Sequence, residues 1–173
     1  MLAPQRIWWK PLDRYEKSWL LVAFVWCLVL TAMMPIWFYL GHQNVPATTY
    51  RVTPAEYAKV VTDFAAQHKV GEQSGVPIVE TAPGTDIYLW AHQWQWYPIL
   101  RLKKGQTYRL HISSTDVQHG FSLQPTNLNL QILPGYDYVA TITPTQSGDF
   151  SILCNEFCSI GHHLMTGKII VTP

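Results

Sequence analysis

The stretch with the most evident chemistry lies near the C-terminus and reads CNEFCSIGHHLMTG. Its side chains include two thiols, an imidazole and a thioether within twelve residues, from Cys154, Cys158, His162 and Met165. Thiolate, imidazole and thioether form a soft ligand set, which selects copper over magnesium, calcium or manganese. Strand patterns at residues 149–153 and 168–171 bracket the stretch, so it is predicted to be a loop at one end of a β-domain.

Three interpretations of this loop compete. A disulfide between Cys154 and Cys158 would suit an oxidising compartment, but it leaves the spacing of His162 and Met165 unexplained. Structural zinc could use two cysteines and two histidines. Zinc does not need Met165, however, and structural zinc usually serves domains that lack a core of their own. Copper is the interpretation that uses every one of these side chains.

The number of thiols separates two kinds of copper site. A blue site with one copper needs one cysteine, two histidines and a methionine, which leaves Cys154 without a role. Two thiolates four residues apart can instead bridge two copper ions, each of which also takes one histidine. Because such a pair shares one unpaired electron, its bond lengths change little on reduction. The loop therefore favours electron transfer over substrate chemistry.

The upstream histidine of this site is predicted to be His119, in the stretch 116–121. His163 has the wrong offset from Met165 and is predicted to lie beside the ligands or exposed, whereas His92 stays undecided within an aromatic strand. The remaining histidines are predicted to lie on the solvent-exposed surface, because each is on the outward side of a strand or near the end of the membrane span or of a helix. They are His42, His68 and His111.

Length and charge limit the class of protein. The 173 residues are enough for one domain of ordinary size with a buried core. Only 13% of the residues are charged and the formal net charge is +1, so the chain has no basic excess with which to bind nucleic acid. No nucleic-acid partner is therefore expected.

Residues 19–40 read WLLVAFVWCLVLTAMMPIWFYL and carry no charge. A helix of that length reaches roughly 33 Å, which is enough to cross a bilayer core. The stretch is too long for a signal-peptide core, and no small-residue cleavage site follows it. It is predicted to be one uncleaved transmembrane helix.

The basic residues around this span predict its orientation. The residues before it include Arg6, Lys10, Arg14 and Lys17, whereas the first basic residue after it is Arg51. The positive-inside rule then puts the N-terminus in the cytoplasm and everything after the span outside. The aromatic residues predicted at the membrane interfaces are Trp8, Trp9, Trp37 and Tyr39.

The rest of the chain predicts one short helix followed by strands. Thr53 and Glu56 form a capping box for a helix over about 53–68, and residues 71–84 read as a loop with two prolines. Alternating apolar residues predict strands over 107–113, 127–132 and 138–142, as in a small antiparallel sandwich or barrel. The predicted organisation is an arm (1–18), a transmembrane helix (19–40), a connecting segment (41–84) and an exported domain (85–173).

Several of these stretches resemble cytochrome c oxidase subunit II. CNEFCSIGHHLM is similar to the CuA loop of that family, DVQHGFSL to its first-histidine segment, TNLNLQILPG to the strand and turn that follow, and HQWQW to its aromatic stretch. The matches cover most of the exported domain. They imply a mainly β fold, a cupredoxin-like antiparallel sandwich or barrel, and the single N-terminal helix resembles the compact subunit II of the B-family oxidases.

The resemblance assigns roles residue by residue. The side-chain ligands of a binuclear copper centre would be His119, Cys154, Cys158, His162 and Met165. Glu156 would supply a backbone carbonyl to one copper. Trp94 would be the aromatic residue that receives electrons from cytochrome c, and the alternative role for it is to pack over the metal loop. In the commoner oxidases a glutamate at this place also offers its carboxylate to a magnesium ion, whose other ligands would lie on the partner.

The function implied is that of a subunit of a haem-copper oxidase in the cell (inner) membrane, with its CuA domain on the periplasmic or extracytoplasmic side. CuA would accept electrons from a c-type cytochrome or similar protein and pass them to haem in subunit I, which reduces oxygen to water; small membrane subunits are further expected partners. A CuA subunit of a membrane nitric oxide reductase is the main alternative, since nothing in this chain reports what its partner reduces. A single-copper shuttle is the lesser alternative.

Overall fold

The computed structural model describes residues 11–41 and 48–173. They belong to two compact units, one ending at His42 and one beginning at Gln43, and each is described by itself. Some sequence predictions lie outside the described residues, namely those for Arg6, Trp8, Trp9, Lys10 and His42.

The first unit contains one long helix, α1 (Arg14–Leu40). It begins earlier than predicted because Asp13 and Glu16 form a capping box: the Asp13 carboxylate accepts from the Glu16 N–H at 2.8 Å, and the Glu16 carboxylate accepts from the Asp13 N–H at 2.9 Å. None of its residues is buried within the chain. The helix is long and apolar enough to cross a membrane.

The second unit is built from two β-sheets. Hydrogen-bonded neighbours in the first sheet follow the order β1 (Thr48–Arg51), β10 (Tyr136–Ile142), β7 (Tyr108–Ser114), β4 (Asp86–His92) and β5 (Gln95–Tyr97). The second sheet follows the order β2 (Lys69–Gln73), β3 (Val76–Glu80), β6 (Ile99–Lys103), β12 (Thr166–Thr172), β11 (Gly148–Cys154), β8 (His119–Gln124) and β9 (Asn129–Ile132). The mainly β prediction is confirmed.

The two sheets share one hydrophobic core. Leu110 and Ile112 of β7 contribute from the first sheet, and Phe121 of β8 and Ile169 of β12 contribute from the second. Most strand pairs are antiparallel as predicted, but the pairs β3–β6, β6–β12 and β4–β7 are parallel. The core therefore lies between the layers of a β-sandwich.

The loop predicted over residues 71–84 is wrong for residues 71–80, which belong to the hairpin β2–β3. Ser74 and Gly75 make the turn, with φ of 52° and 80°. Pro77 suggested a break, yet Ile78 and Val79 are buried and β3 pairs in parallel with β6. The hairpin consequently belongs to the same sheet as five strands that follow residue 85.

A second helix, α2 (Pro54–His68), occupies the predicted position with the predicted Thr53 cap. It packs against β4 and β7, where the Phe64 ring lies 5.4 Å from the Tyr88 ring. The prediction that His111 is exposed is wrong, because α2 covers this side of the sheet. His111 is 6% exposed, and its Nδ1 lies 2.6 Å from a carboxylate oxygen of Asp137.

Candidate metal centre

Strand pairing brings the two predicted metal-binding segments to the same end of the second sheet. Strand β8 begins at His119, and it pairs with β11 so that Phe121 lies opposite Cys154, the last residue of β11. The loop after Cys154 ends at Met165, directly before β12. His119 therefore lies beside the loop although 35 residues separate it from Cys154.

The five predicted side-chain ligands converge. The two Sγ atoms of Cys154 and Cys158 lie 3.7 Å apart. The Nδ1 atom of His119 lies 3.8 Å from the Cys154 sulfur, and the Nδ1 atom of His162 lies 3.6 Å from the Cys158 sulfur. The Met165 sulfur is 3.7 Å from that of Cys158. Each thiol thus has its own imidazole.

Neither cysteine of this cluster forms a disulfide. Their 3.7 Å separation is well beyond the bond length of about 2 Å that a disulfide requires. Burial, followed by the hydrogen bond and the negative charge of Cys154, raises the pKa of the Cys158 thiol to about 11. Two thiolates side by side are unfavourable without a cation, so the pair suits a bound metal ion.

The ring of His119 is fully buried, and Asp116 fixes its orientation. The His119 Nε2 atom lies 2.9 Å from Asp116 Oδ1, which leaves Nδ1 facing the sulfur atoms. Burial acts to raise the pKa of the Asp116 carboxyl, but hydrogen bonds from His119 and from the N–H groups of Gln93 and Val117 outweigh it and lower the pKa. A carboxylate three residues before a candidate ligand histidine is a signal that could have identified Asp116.

Glu156 presents its main chain to the cluster. The Cys154 thiol donates to the Glu156 carbonyl oxygen at 3.3 Å. The Glu156 carboxylate instead accepts a hydrogen bond from the Gln118 amide at 3.3 Å. The carbonyl is therefore the Glu156 atom available to the sulfur cluster.

Gly120 lets the loop approach β8 closely. A Cβ atom at this position would clash with the Asn155 side chain and would lie 2.7 Å from the backbone nitrogen of Glu156, closer than Cβ atoms come to their neighbours in proteins. The backbone N–H of Asn155 donates to the Gly120 carbonyl at 3.2 Å, and its side-chain amide donates to Asn129 of β9 at 3.1 Å. The start of the loop is thus held on two strands.

Trp94 covers the other side of the loop. Its side chain is 44% exposed, and a Cβ on Gly161 would lie 2.6 Å from the Cε2 atom of its ring. Only glycine at 161 allows this packing, one residue before His162. The Phe157 ring, 79% exposed, lies 5.9 Å from the His162 ring.

The other histidines in the described part of the chain differ in their surroundings. His163 is exposed, in agreement with its predicted place beside the ligands or on the surface. The His92 ring packs at a tilt against the Trp90 ring, with the ring centres 4.7 Å apart, and the His68 ring packs 5.0 Å from the Phe64 ring.

No protein-family model matches the chain, but comparison with individual proteins finds relatives. Cytochrome c oxidase subunit 2 of Thermus thermophilus is 28% identical over 165 residues, which cover 94% of this chain and 94% of the relative. A second subunit 2 from Thermus thermophilus is 33% identical over 96 residues, covering 54% of this chain and 71% of the relative.

Solved structures agree with the fold. A chain from a cryo-EM structure of a haem-copper terminal oxidase dimer matches 92% of this chain and 100% of its own length, at 25% identity and a TM-score of 0.58. The copper protein rusticyanin from Thiobacillus ferrooxidans matches 74% of this chain and 99% of its own, at 18% identity and a TM-score of 0.53. The cupredoxin-like fold is thus confirmed.

Proposed function

Because the chain belongs to the cytochrome c oxidase subunit 2 family, we propose that it is the electron-accepting subunit of a haem-copper terminal oxidase. It takes electrons from a c-type cytochrome and passes them to haem in subunit I, where oxygen is reduced to water. The observation that carries this proposal is the pair of thiols 3.7 Å apart, each with its own imidazole.

The donor set fits a binuclear copper centre. Cys154 and Cys158 would hold two copper ions together with the imidazoles of His119 and His162. Met165 and the Glu156 carbonyl would complete the coordination, since both already point at the sulfur atoms. When bound, the copper pair supplies one-electron transfer; a zinc or blue-copper site would leave part of this set without a use.

The chain's own residues hold these donors and exclude water. His119, Cys158 and Met165 are almost fully buried, so the donors sit in a dry environment with little room to rearrange. Asp116 holds His119 in one orientation through Nε2, as carboxylates commonly do for metal-binding histidines. A rigid donor set keeps the reorganisation that accompanies electron transfer small.

Trp94 is proposed as the residue through which electrons arrive. Its indole is 44% exposed on one side and packs against Gly161, next to His162, on the other. A donor protein that docks on Trp94 would therefore come within one side chain of the metal loop.

Helix α1 is proposed as a single-pass anchor in the cell membrane beside subunit I. Arg14 and Lys17 lie near its N-terminal end, and the first basic residue after it is Arg51. This asymmetry favours a cytoplasmic N-terminus and an extracytoplasmic copper domain.

Copper uptake tests the proposed centre. The full-length chain, purified in detergent and supplied with copper, is expected to bind two copper ions and to turn purple, because two thiols and two imidazoles provide donors for a binuclear centre. Metal analysis and electron paramagnetic resonance should report one unpaired electron shared equally by two coppers. A blue one-copper spectrum, or stoichiometric zinc without affinity for copper, would falsify the proposal.

Fusion reporters test the orientation. A reporter that is active only outside the cytoplasm is expected to be active when fused after Pro173 and silent when fused before Met1, because of the charges that flank α1. Enzyme activity in intact cells is the measurement. The reverse pattern would place the copper domain on the cytoplasmic side and overturn the proposed docking side of the donor.

A further inference from the structure

Gln93 links both metal-binding segments to the tryptophan that follows it. Its backbone N–H donates to Asp116 Oδ2 at 2.7 Å, and the other oxygen of that carboxylate lies 2.9 Å from the His119 ring. Its side-chain amide donates to the carbonyl oxygen of Cys158 at 2.7 Å. The cysteine loop and the segment that carries His119 are therefore both bonded to one residue, in the turn between β4 and β5.

This arrangement attaches the turn to the metal loop at two points. Gln93 contacts the loop at Cys158, and Trp94 contacts it at Gly161. Between these points Ser159 has a φ of 108°, a backbone conformation that residues other than glycine rarely adopt. Such a conformation persists when its surroundings hold it, and the Gln93 amide is one of the groups that hold this segment.

The side-chain bond has a separate role from the backbone bond. Any residue except proline at position 93 can donate the backbone hydrogen bond to Asp116. The hydrogen bond to the Cys158 carbonyl needs a side-chain donor of glutamine length. Trp94 is 44% exposed, so burial alone does not fix its ring. A second attachment beside it would keep the ring against Gly161.

We propose that Gln93 is a positioning residue. The hydrogen bond from its side-chain amide to the Cys158 carbonyl keeps the Trp94 indole on the metal loop and so sets the rate at which electrons arrive. The inference rests on the proposed function for the role of Trp94. The position of the ring itself depends only on this chain's own residues.

The test compares full-length chains in detergent with and without the substitution Gln93→Met. This substitution keeps the length of the side chain and removes its amide. Gln95→Met is the matched control, because Gln95 lies on the other side of Trp94 and its side chain forms no hydrogen bond among the described residues. The first measurement is fluorine NMR of chains labelled with fluorotryptophan, with the Trp94 signal assigned by its loss in Trp94→Phe. Gln93→Met is expected to shift or broaden that signal, and Gln95→Met to leave it in place.

The second measurement is stopped-flow reduction of the copper-loaded chain by reduced cytochrome c. Gln93→Met is expected to slow it about fivefold, the effect of losing one hydrogen bond to a neutral acceptor, with copper content and spectrum unchanged. In a Trp94→Leu background the same change should cause no further slowing. A Trp94 signal that is unaffected by Gln93→Met overturns the inference, and so does equal slowing in both backgrounds. Failure of the wild-type chain to form a binuclear copper spectrum would instead overturn the proposed function, and the NMR result would still decide the position of the ring.

Discussion

Cys154→Ser is expected to abolish the two-copper paramagnetic signal. The Cys154 sulfur lies 3.7 Å from that of Cys158 and 3.8 Å from His119 Nδ1, so its removal takes away one of the two thiol donors of the proposed centre. A serine hydroxyl is a hard, weakly acidic donor and does not replace a thiolate. Copper content should fall from two ions to one or none per chain, as measured by metal analysis beside electron paramagnetic resonance.

Two matched controls accompany this substitution. Cys27→Ser changes the exposed cysteine of α1 and should leave the signal intact. At the histidines, His162→Ala should disrupt the centre because its Nδ1 lies 3.6 Å from the Cys158 sulfur, whereas exposed His163→Ala should not. Retention of both coppers in Cys154→Ser, or their loss in His163→Ala, would contradict the ligand assignment.

Gly120→Ala is expected to lower stability and copper affinity together. The new Cβ would lie 2.7 Å from the Glu156 backbone nitrogen, and a backbone atom cannot move aside without shifting the loop that starts at Cys154. Overpacking of this kind costs about 1–3 kcal/mol of the free energy of unfolding. Thermal unfolding of the copper-free chain and competitive copper titration are the measurements.

Gly71→Ala is the matched control for this second substitution. A Cβ at Gly71 would lie 3.8 Å from the nearest atom, in ordinary van der Waals contact with Ile78. Its effect on unfolding should stay within about 0.5 kcal/mol. Equal stability and copper affinity for Gly120→Ala and Gly71→Ala would show that the loop tolerates displacement from β8.

The local signals in the sequence were sufficient where neighbouring residues determine the structure. The Thr53 capping box predicted the start of α2, and alternating apolar residues predicted β7 and β10, because hydrogen bonds and side-chain faces within a few residues decide these elements. The candidate donors from Cys154 to Met165 could be found for the same reason, since they lie on one loop. The hairpin β2–β3 was missed because its stability comes from pairing with β6, which no local pattern reports.

The sequence by itself determined the candidate donor set, soft side chains on one loop of a β-domain, and the apolar helix before it, because residue types and short spacings specify both. The tertiary structure alone decided which distant groups support that loop. Gln93, whose side-chain amide donates to the Cys158 carbonyl across 65 residues, becomes a neighbour of the loop only when the two sheets pack together. Burial of His111 likewise depended on α2 covering its side of the sheet. Contacts between residues far apart in the chain arise from the packing of whole elements, so no single stretch of sequence contains them.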